Sequence, residues 1–363
     1  MKLHVLILFF TLSFQGSVTL LNAQEHIVKF NETYELANII LALTDYGKAD
    51  KNEINKNSPY YQEVLAYFDK YSNHPVVQKV NYSRKLWDKL LSFRTDAVAF
   101  EFTKEDKLYR KYKFYSMGKK INEFELNLEL IEDFAKKSEF RRFYNEKSEY
   151  FDNLQFMYEK SLYIKEVESF LSKEFKINIK AKHQIIVSPL VGRMHCQRPF
   201  NNLSTSFINI PDYIFSAKNL NDIDEDKIAS GLHMFFTEID HDYINPTSIK
   251  FKKEIKKKFN PKNWDKGSGY EKSKNGTFNE YMTWAVYDIF IKRYFPKVSD
   301  KAISEWHKVN AGRGFYASQI FGQKLAILYV QKNENETLVD LYPKLLNWCG
   351  EVSDNLEVLT KNQ

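Results

Sequence analysis

At 363 residues, with 43% hydrophobic and 28% charged side chains, the chain is long enough to bury a sizeable core and has the composition of a folded protein. Its net charge of +6 is modest and spread along the sequence, so no nucleic-acid partner is expected. Aromatic residues reach 16%, chiefly Phe and Tyr, which supplies large side chains for that core.

The N-terminus reads as a targeting segment. Met1-Lys2-Leu3-His4 is a short basic start, and Val5 to Phe14 is an apolar run too short to span a bilayer but suited to a secretory signal. Val18 to Ala23 leads to an expected cleavage near Ala23 or Gln24, although Leu21 is not the small residue such sites favour. Residues 1–23 are therefore expected to be a signal peptide and 24–363 a single exported domain, periplasmic or secreted. No later stretch approaches the roughly eighteen apolar residues of a membrane span.

From about 30 to 175 the pattern is helical. Apolar residues recur at helical spacing over Tyr34–Leu43, Tyr60–Tyr71, Val77–Phe93, Phe124–Lys137 and Phe151–Phe175, with few Gly or Pro between them. The texture then changes. Gln184–Ser188 and Ser206–Ile210 are short, apolar and partly β-branched, and read as strands; Gly192, Pro199 and Asn201-Asn202 mark a connection between them. A helix follows over 226–241, with others at 247–259, 277–294, 299–310, 315–331 and 336–349. The expected fold class is α+β and mostly helical: a helical N-terminal part (about 30–175), then a part (about 180–350) in which a small sheet precedes a helix.

That helix carries the chemistry. Residues 236–246 read Phe-Thr-Glu-Ile-Asp-His-Asp-Tyr-Ile-Asn-Pro, and a His at Thr237 would complete His-Glu-x-x-His, the helix signature of zinc peptidases. Positions 237 and 241 are four apart and share a helix face. In a complete site both would be imidazoles on one zinc, with a Glu from a second helix as third ligand and water in the fourth place. Glu238 would act on that water as general base. Glu280, in Phe278-Asn279-Glu280-Tyr281, is the candidate third ligand.

Thr237 is a poor zinc ligand, and three substitutes are open. Glu238 and His241, three apart, could bind metal as a helical carboxylate site, at the expense of the base. His195, in the turn Gly192–Cys196, could supply a second imidazole. The third, His233, fails on distance, since eight helical residues rise about 12 Å from it to His241. Asp240 and Asp242 flank His241, and either could orient its ring from behind or be solvated.

Tyr34-Glu35-Leu36-Ala37-Asn38-Ile39, Tyr67-Phe68 with His74-Pro75, and Glu238–Pro246 together resemble an exported bacterial family described as domain of unknown function 4932. The likeness runs over nearly the whole mature chain. Members with His-Glu-x-x-His-x-x-Val-Asn-Pro look like gluzincin-type metallopeptidases. The resemblance implies a zincin-like fold, one zinc or other divalent metal, and a peptide or protein substrate. By position it implies His241 and Glu280 as ligands, Glu238 as base, and Asn245 and Pro246 in the matching places. The chain departs from the pattern at Thr237, which leaves that position only a supporting role.

Other motifs are plainer. No phosphate-binding Gly loop, dinucleotide fingerprint or nucleophile elbow occurs. The lysine-rich run Lys250–Lys258 carries Phe251, Ile255 and Phe259 every four residues, as an amphipathic helix with a solvated basic face does. Asn31, Asn81, Asn202, Asn275 and Asn335 head glycosylation sequons, which matter only in a host that glycosylates them. Arg313 or Tyr316, beside the turn Gly312–Gly314, could contact a polarised carbonyl. Cys196 and Cys349 could pair as a disulfide or remain free. Two functions fit: an exported metallohydrolase with a rewired metal site, or an inactive homologue, without metal, that binds a peptide or partner protein in the retained cleft.

Overall fold

The computed structural model of the protein describes residues 27–118, 120–177 and 183–361; the expected signal peptide lies outside them. The first element is a short strand, β1 (Val28–Phe30). Asn31 then starts the helix Glu32–Leu43 by accepting the Tyr34 N–H at 2.8 Å, an N-cap bond. Every residue of this helix from Thr33 on is buried, so it forms the axis of the N-terminal half rather than an amphipathic surface helix. Thr33 Oγ1 ties it to the carbonyls of Ala97 (2.8 Å) and Phe100 (3.1 Å).

The helices Pro59–Phe68, Pro75–Lys79, Trp87–Thr95, Leu128–Lys137, Phe140–Glu146, Ser148–Ser161 and Ile164–Phe175 follow. Two features depart from the all-helical expectation. A hairpin, β2 (Phe100–Phe102) with β3 (Leu108–Arg110), turns at Asp106 with φ of 60°. The expected single helix 151–175 breaks at Tyr163, where φ is 46°.

The main sheet has the order β1-β4-β6-β5, with β4 (His183–Val187), β5 (His195–Phe200) and β6 (Leu203–Ile208). β1, β4 and β6 are parallel; β5 runs antiparallel to β6 and forms the edge. β5 is where the sequence reading expected a loop. Asn201 (φ 51°) and Asn202 (φ 61°) supply the paired left-handed residues of a tight hairpin turn, and Pro199 is tolerated because β5 is an edge strand.

Alternation along the strands divides the core. Ile185, Val187 and Ile208 face one apolar cluster, built with the C-terminal helices; Ile186 and Phe207 face another, built with the N-terminal helices. Helices therefore cover both faces of a mostly parallel sheet. In the C-terminal layer the helices are Glu225–Ile239, His241–Lys250, Lys252–Lys258, Lys274–Tyr294, Ser299–Gly312, Ser318–Val330 and Leu338–Val352. Among the described residues no helix is long and apolar enough to cross a membrane. Ile255 and Phe259 are buried while the lysines around them are solvated, as the amphipathic reading of that run expects.

Glu35 sits inside the N-terminal core, 1% exposed, where burial pushes its carboxyl up to about 7 against the opposing pull of Ser188 and Tyr60. A carboxyl raised in the folded state keeps its proton there after the unfolded chain has lost it, so folding stability declines as pH rises from about 4.5 to 7. Glu35→Gln is expected to remove a pH-dependent loss of roughly 3 kcal/mol over that window, read from urea unfolding at pH 5 and pH 8. Parallel pH profiles for the two proteins would contradict this.

Candidate functional site

The motif helix ends two residues earlier than expected. Glu225–Ile239 closes with the Asp240 N–H on the Phe236 carbonyl at 2.9 Å, and a second helix starts at His241, with the Tyr243 and Ile244 N–H groups on the Asp240 carbonyl. The joint leaves Glu238 on one helix and His241 on the next, both on the wall of a cleft of about 1290 Å³. The long helix Lys274–Tyr294 brings Glu280 to the same place, with His241 Nε2 3.7 Å from Glu280 Oε1. Glu238, His241 and Glu280 thus converge. Asn245 accepts a 2.6 Å bond from Asn279 Nδ2, pinning the second motif helix to the residue next to Glu280.

Electrostatics in this corner are dominated by desolvation. Glu238 is 7% exposed, and its carboxyl is pushed up to about 8 by burial and then by Glu280, while Arg198 and Arg313 pull it down. Glu280 is raised by burial and lowered by His241 and Arg313. The Tyr270 phenol is raised by Glu280 first and by burial second. Burial and Glu280 therefore favour the protonated form of the Glu238 carboxyl.

Several expected roles change. The Thr237 hydroxyl turns back to the Met234 carbonyl of its own helix at 3.4 Å. Asp240 and Asp242 do not orient His241, whose buried Nδ1 has no hydrogen-bond partner among the described residues. Asp240 is fully buried and accepts from Thr283 Oγ1 at 3.2 Å; Asp242 accepts from Gln197 Nε2 at 3.0 Å and Ser204 Oγ at 2.8 Å, fastening the second motif helix to the sheet. His195 opens β5, but its side chain lies outside the described part of the structure. His233 lines the cleft, stacked on Trp306 with ring centroids 3.7 Å apart. Arg313 lines the cleft, whereas Tyr316 donates its hydroxyl to the Asn263 carbonyl. Cys196, on the cleft wall, and Cys349, fully buried in the helix Leu338–Val352, are both free, and burial pushes the Cys196 thiol up to about 12, an unreactive value.

Sequence reasoning missed Arg198 and Tyr270. Arg198 becomes visible once residues 195–200 are read as a strand, because it then lies two on from Cys196 along β5. Tyr270 sits in the irregular stretch before the helix Lys274–Tyr294, where periodicity carries no signal.

The donor set does not fit a catalytic zinc of the usual kind. Such a site takes three protein ligands and an open position. Here one imidazole and one carboxylate meet, the Thr237 hydroxyl is turned away, and enlisting Glu238 would remove the base. Among the described residues no group of three or more His, Cys, Asp or Glu side chains is placed to hold an ion.

A second cluster has the look of catalysis without its access. His307 Nε2 lies 2.9 Å from Asp288 Oδ2 and His307 Nδ1 lies 3.2 Å from Ser318 Oγ. All three are at most 5% exposed and none lines the cleft. They join three helices at a contact so close that a methyl group on Gly322 would come within 2.3 Å of Asp288 Oδ2. Without a substrate path, this Ser-His-Asp group is a structural clamp.

Compared with protein-family models, with curated proteins and with solved structures, the chain shows no match.

Proposed function

We propose that the cleft binds an extended peptide segment, on a zincin-like scaffold of gluzincin type whose zinc-peptidase chemistry lapsed with Thr237. One observation carries the reading: among the described residues β5 has a sheet neighbour on one side only, and its residues Cys196, Gln197 and Arg198 border the same cleft as Glu238, His241 and Glu280. An edge strand beside a cleft offers unpaired N–H and C=O groups to an incoming strand, and side-chain pockets then select among peptides. The order of elements supports the scaffold: a small sheet with an antiparallel edge, a helix carrying Glu238, and a later helix carrying Glu280. In an exported protein such a cleft meets extracytoplasmic peptides and protein segments.

Trp284 and Trp306 border the cleft and give a direct test. Tryptophan-free peptides from a casein digest, added at millimolar concentration to the purified mature protein, are expected to shift or quench its tryptophan fluorescence. No change with any fraction of the digest would sink the peptide reading.

The 3.7 Å approach of His241 to Glu280 favours a second reading, a rewired metal-dependent hydrolase. Elemental analysis decides between them. About one zinc per chain, lost on His241→Ala, would replace the first reading with the second; peptide cleavage abolished by Glu238→Gln would then complete it.

A further inference from the structure

The cleft carries more positive charge than its own partners account for. Six described cationic side chains border it: Arg84, Arg193, Arg198, Lys227, Lys301 and Arg313. Arg84 pairs with Glu53 at 2.9 Å, Lys227 with Asp224 at 2.8 Å, and Lys301 with Asp226, while Arg193 is exposed. Arg198 and Arg313 differ. Neither makes an ion pair with a described residue, although both are partly buried and both bear electrostatically on Glu238.

Each of the two is held in place by something other than a carboxylate. Arg198 donates through Nε to the Ser116 carbonyl and through Nη1 to the Gln197 carbonyl, both at 2.6 Å; its Nη2 has no partner among the described residues. The Arg313 guanidinium lies 5.6 Å from the ring centre of Trp284 and 5.8 Å from that of Phe315, with no side-chain hydrogen bond to a described residue. Carbonyls and aromatic rings fix a guanidinium without neutralising it, which leaves its planar fork ready for an anion. The two come from different elements, Arg198 from β5 and Arg313 from the end of the helix Ser299–Gly312.

We infer that the cleft recognises a carboxylate of its peptide, held between the guanidinium groups of Arg198 and Arg313. The inference rests on the peptide reading above and narrows it. Arg198 belongs to the strand that a peptide would lie along, so the carboxylate is expected at a fixed distance from the backbone pairing. A peptide C-terminus and an Asp or Glu side chain offer the same chemistry, and the orphaned Nη2 fits either as one arm of a charge-assisted pair.

The probe is a pool of acetylated, sequence-randomised hexapeptides passed over the immobilised mature protein. One pool ends in a free carboxylate, a second is amidated, and a third is amidated and lacks Asp and Glu. Retention of the free-acid pool is expected to exceed that of the carboxylate-free pool about tenfold, the scale of one charge-assisted contact. The ratio is expected to fall towards one in Arg198→Gln and in Arg313→Gln. Asp- or Glu-bearing peptides enriched from the second pool would make a side chain the source; enrichment confined to the first would make it the C-terminus. Equal retention of the free-acid and carboxylate-free pools would overturn the inference and leave the peptide reading standing. No retention of any pool would overturn both.

Discussion

Glu238→Gln is expected to stabilise the folded protein by roughly 4 kcal/mol at pH 8, read as a higher urea midpoint with an unchanged denaturant slope. The reason is the company the carboxyl keeps. Burial and the neighbouring Glu280 push Glu238 from about 4.5 to about 8, so charging it in the folded state is costly. The sign follows from proton counting. Between about pH 4.5 and 8 the unfolded chain has released the Glu238 proton while the folded chain retains it, so stability falls as pH rises and levels off above about 8. Glutamine has the same shape and no proton to lose. The variant should therefore match the parent near pH 4.5 and pull ahead as pH increases. A carboxyl that weakens its own fold is the pattern of a residue kept for function rather than stability. If the two proteins lose stability in parallel from pH 5 to 8, the Glu238 environment is not as charge-averse as its burial implies.

The second large effect lies away from the cleft. His307→Ala is expected to cost about 3–5 kcal/mol, because it leaves Asp288 buried and strips it of the imidazole that lowers its raised pKa. Asp288→Ala strands His307 in turn and should cost a similar amount. The two losses should not add. The double variant is expected to be less unstable than the sum, since neither group is then left unpaired. Peptide retention measured well below the melting temperature should be unchanged in all three, because none of these residues borders the cleft. A loss below about 1 kcal/mol for His307→Ala would show that the Ser-His-Asp group does not clamp the three helices.

Much of the C-terminal layer was legible from periodicity. The helices at 277–294, 299–310, 315–331 and 336–349 appear within a few residues of their expected bounds; three of them bury one apolar stripe, while the first is buried all round from Tyr281 to Ile291. What escaped had a different physical origin. β1 is three residues long and acquires its identity from pairing with β4, a contact invisible to local pattern. β5 carries Arg198 and Pro199, both poor strand signals, and is held by an Asn-Asn turn and its partner β6. The site was half legible. Glu238, His241 and Glu280 line the same cleft, with His241 beside Glu280. The roles of Asp240 and Asp242 were misread, because adjacency in sequence says nothing about which way a carboxylate turns: one points into the Thr283 contact, the other into the sheet. Arg198 escaped together with its strand.

The pairing of β1 with β4 also governs when the molecule can finish folding. Val28 finds its partner only at Ile185, and β4 in turn needs β6, so the N-terminal helices must form beside a sheet that does not yet exist. Closing so long a loop is slow relative to helix formation. During synthesis, the apolar surface that will meet Ile186 and Phe207 stays uncovered until the chain beyond residue 208 has emerged. The waiting half presents Tyr34, Ile39 and Ile40 without a sheet to rest on, a surface that invites chaperone capture. Assembly of the cleft is therefore a late event, because the strand that borders it is laid down only with its hairpin partner.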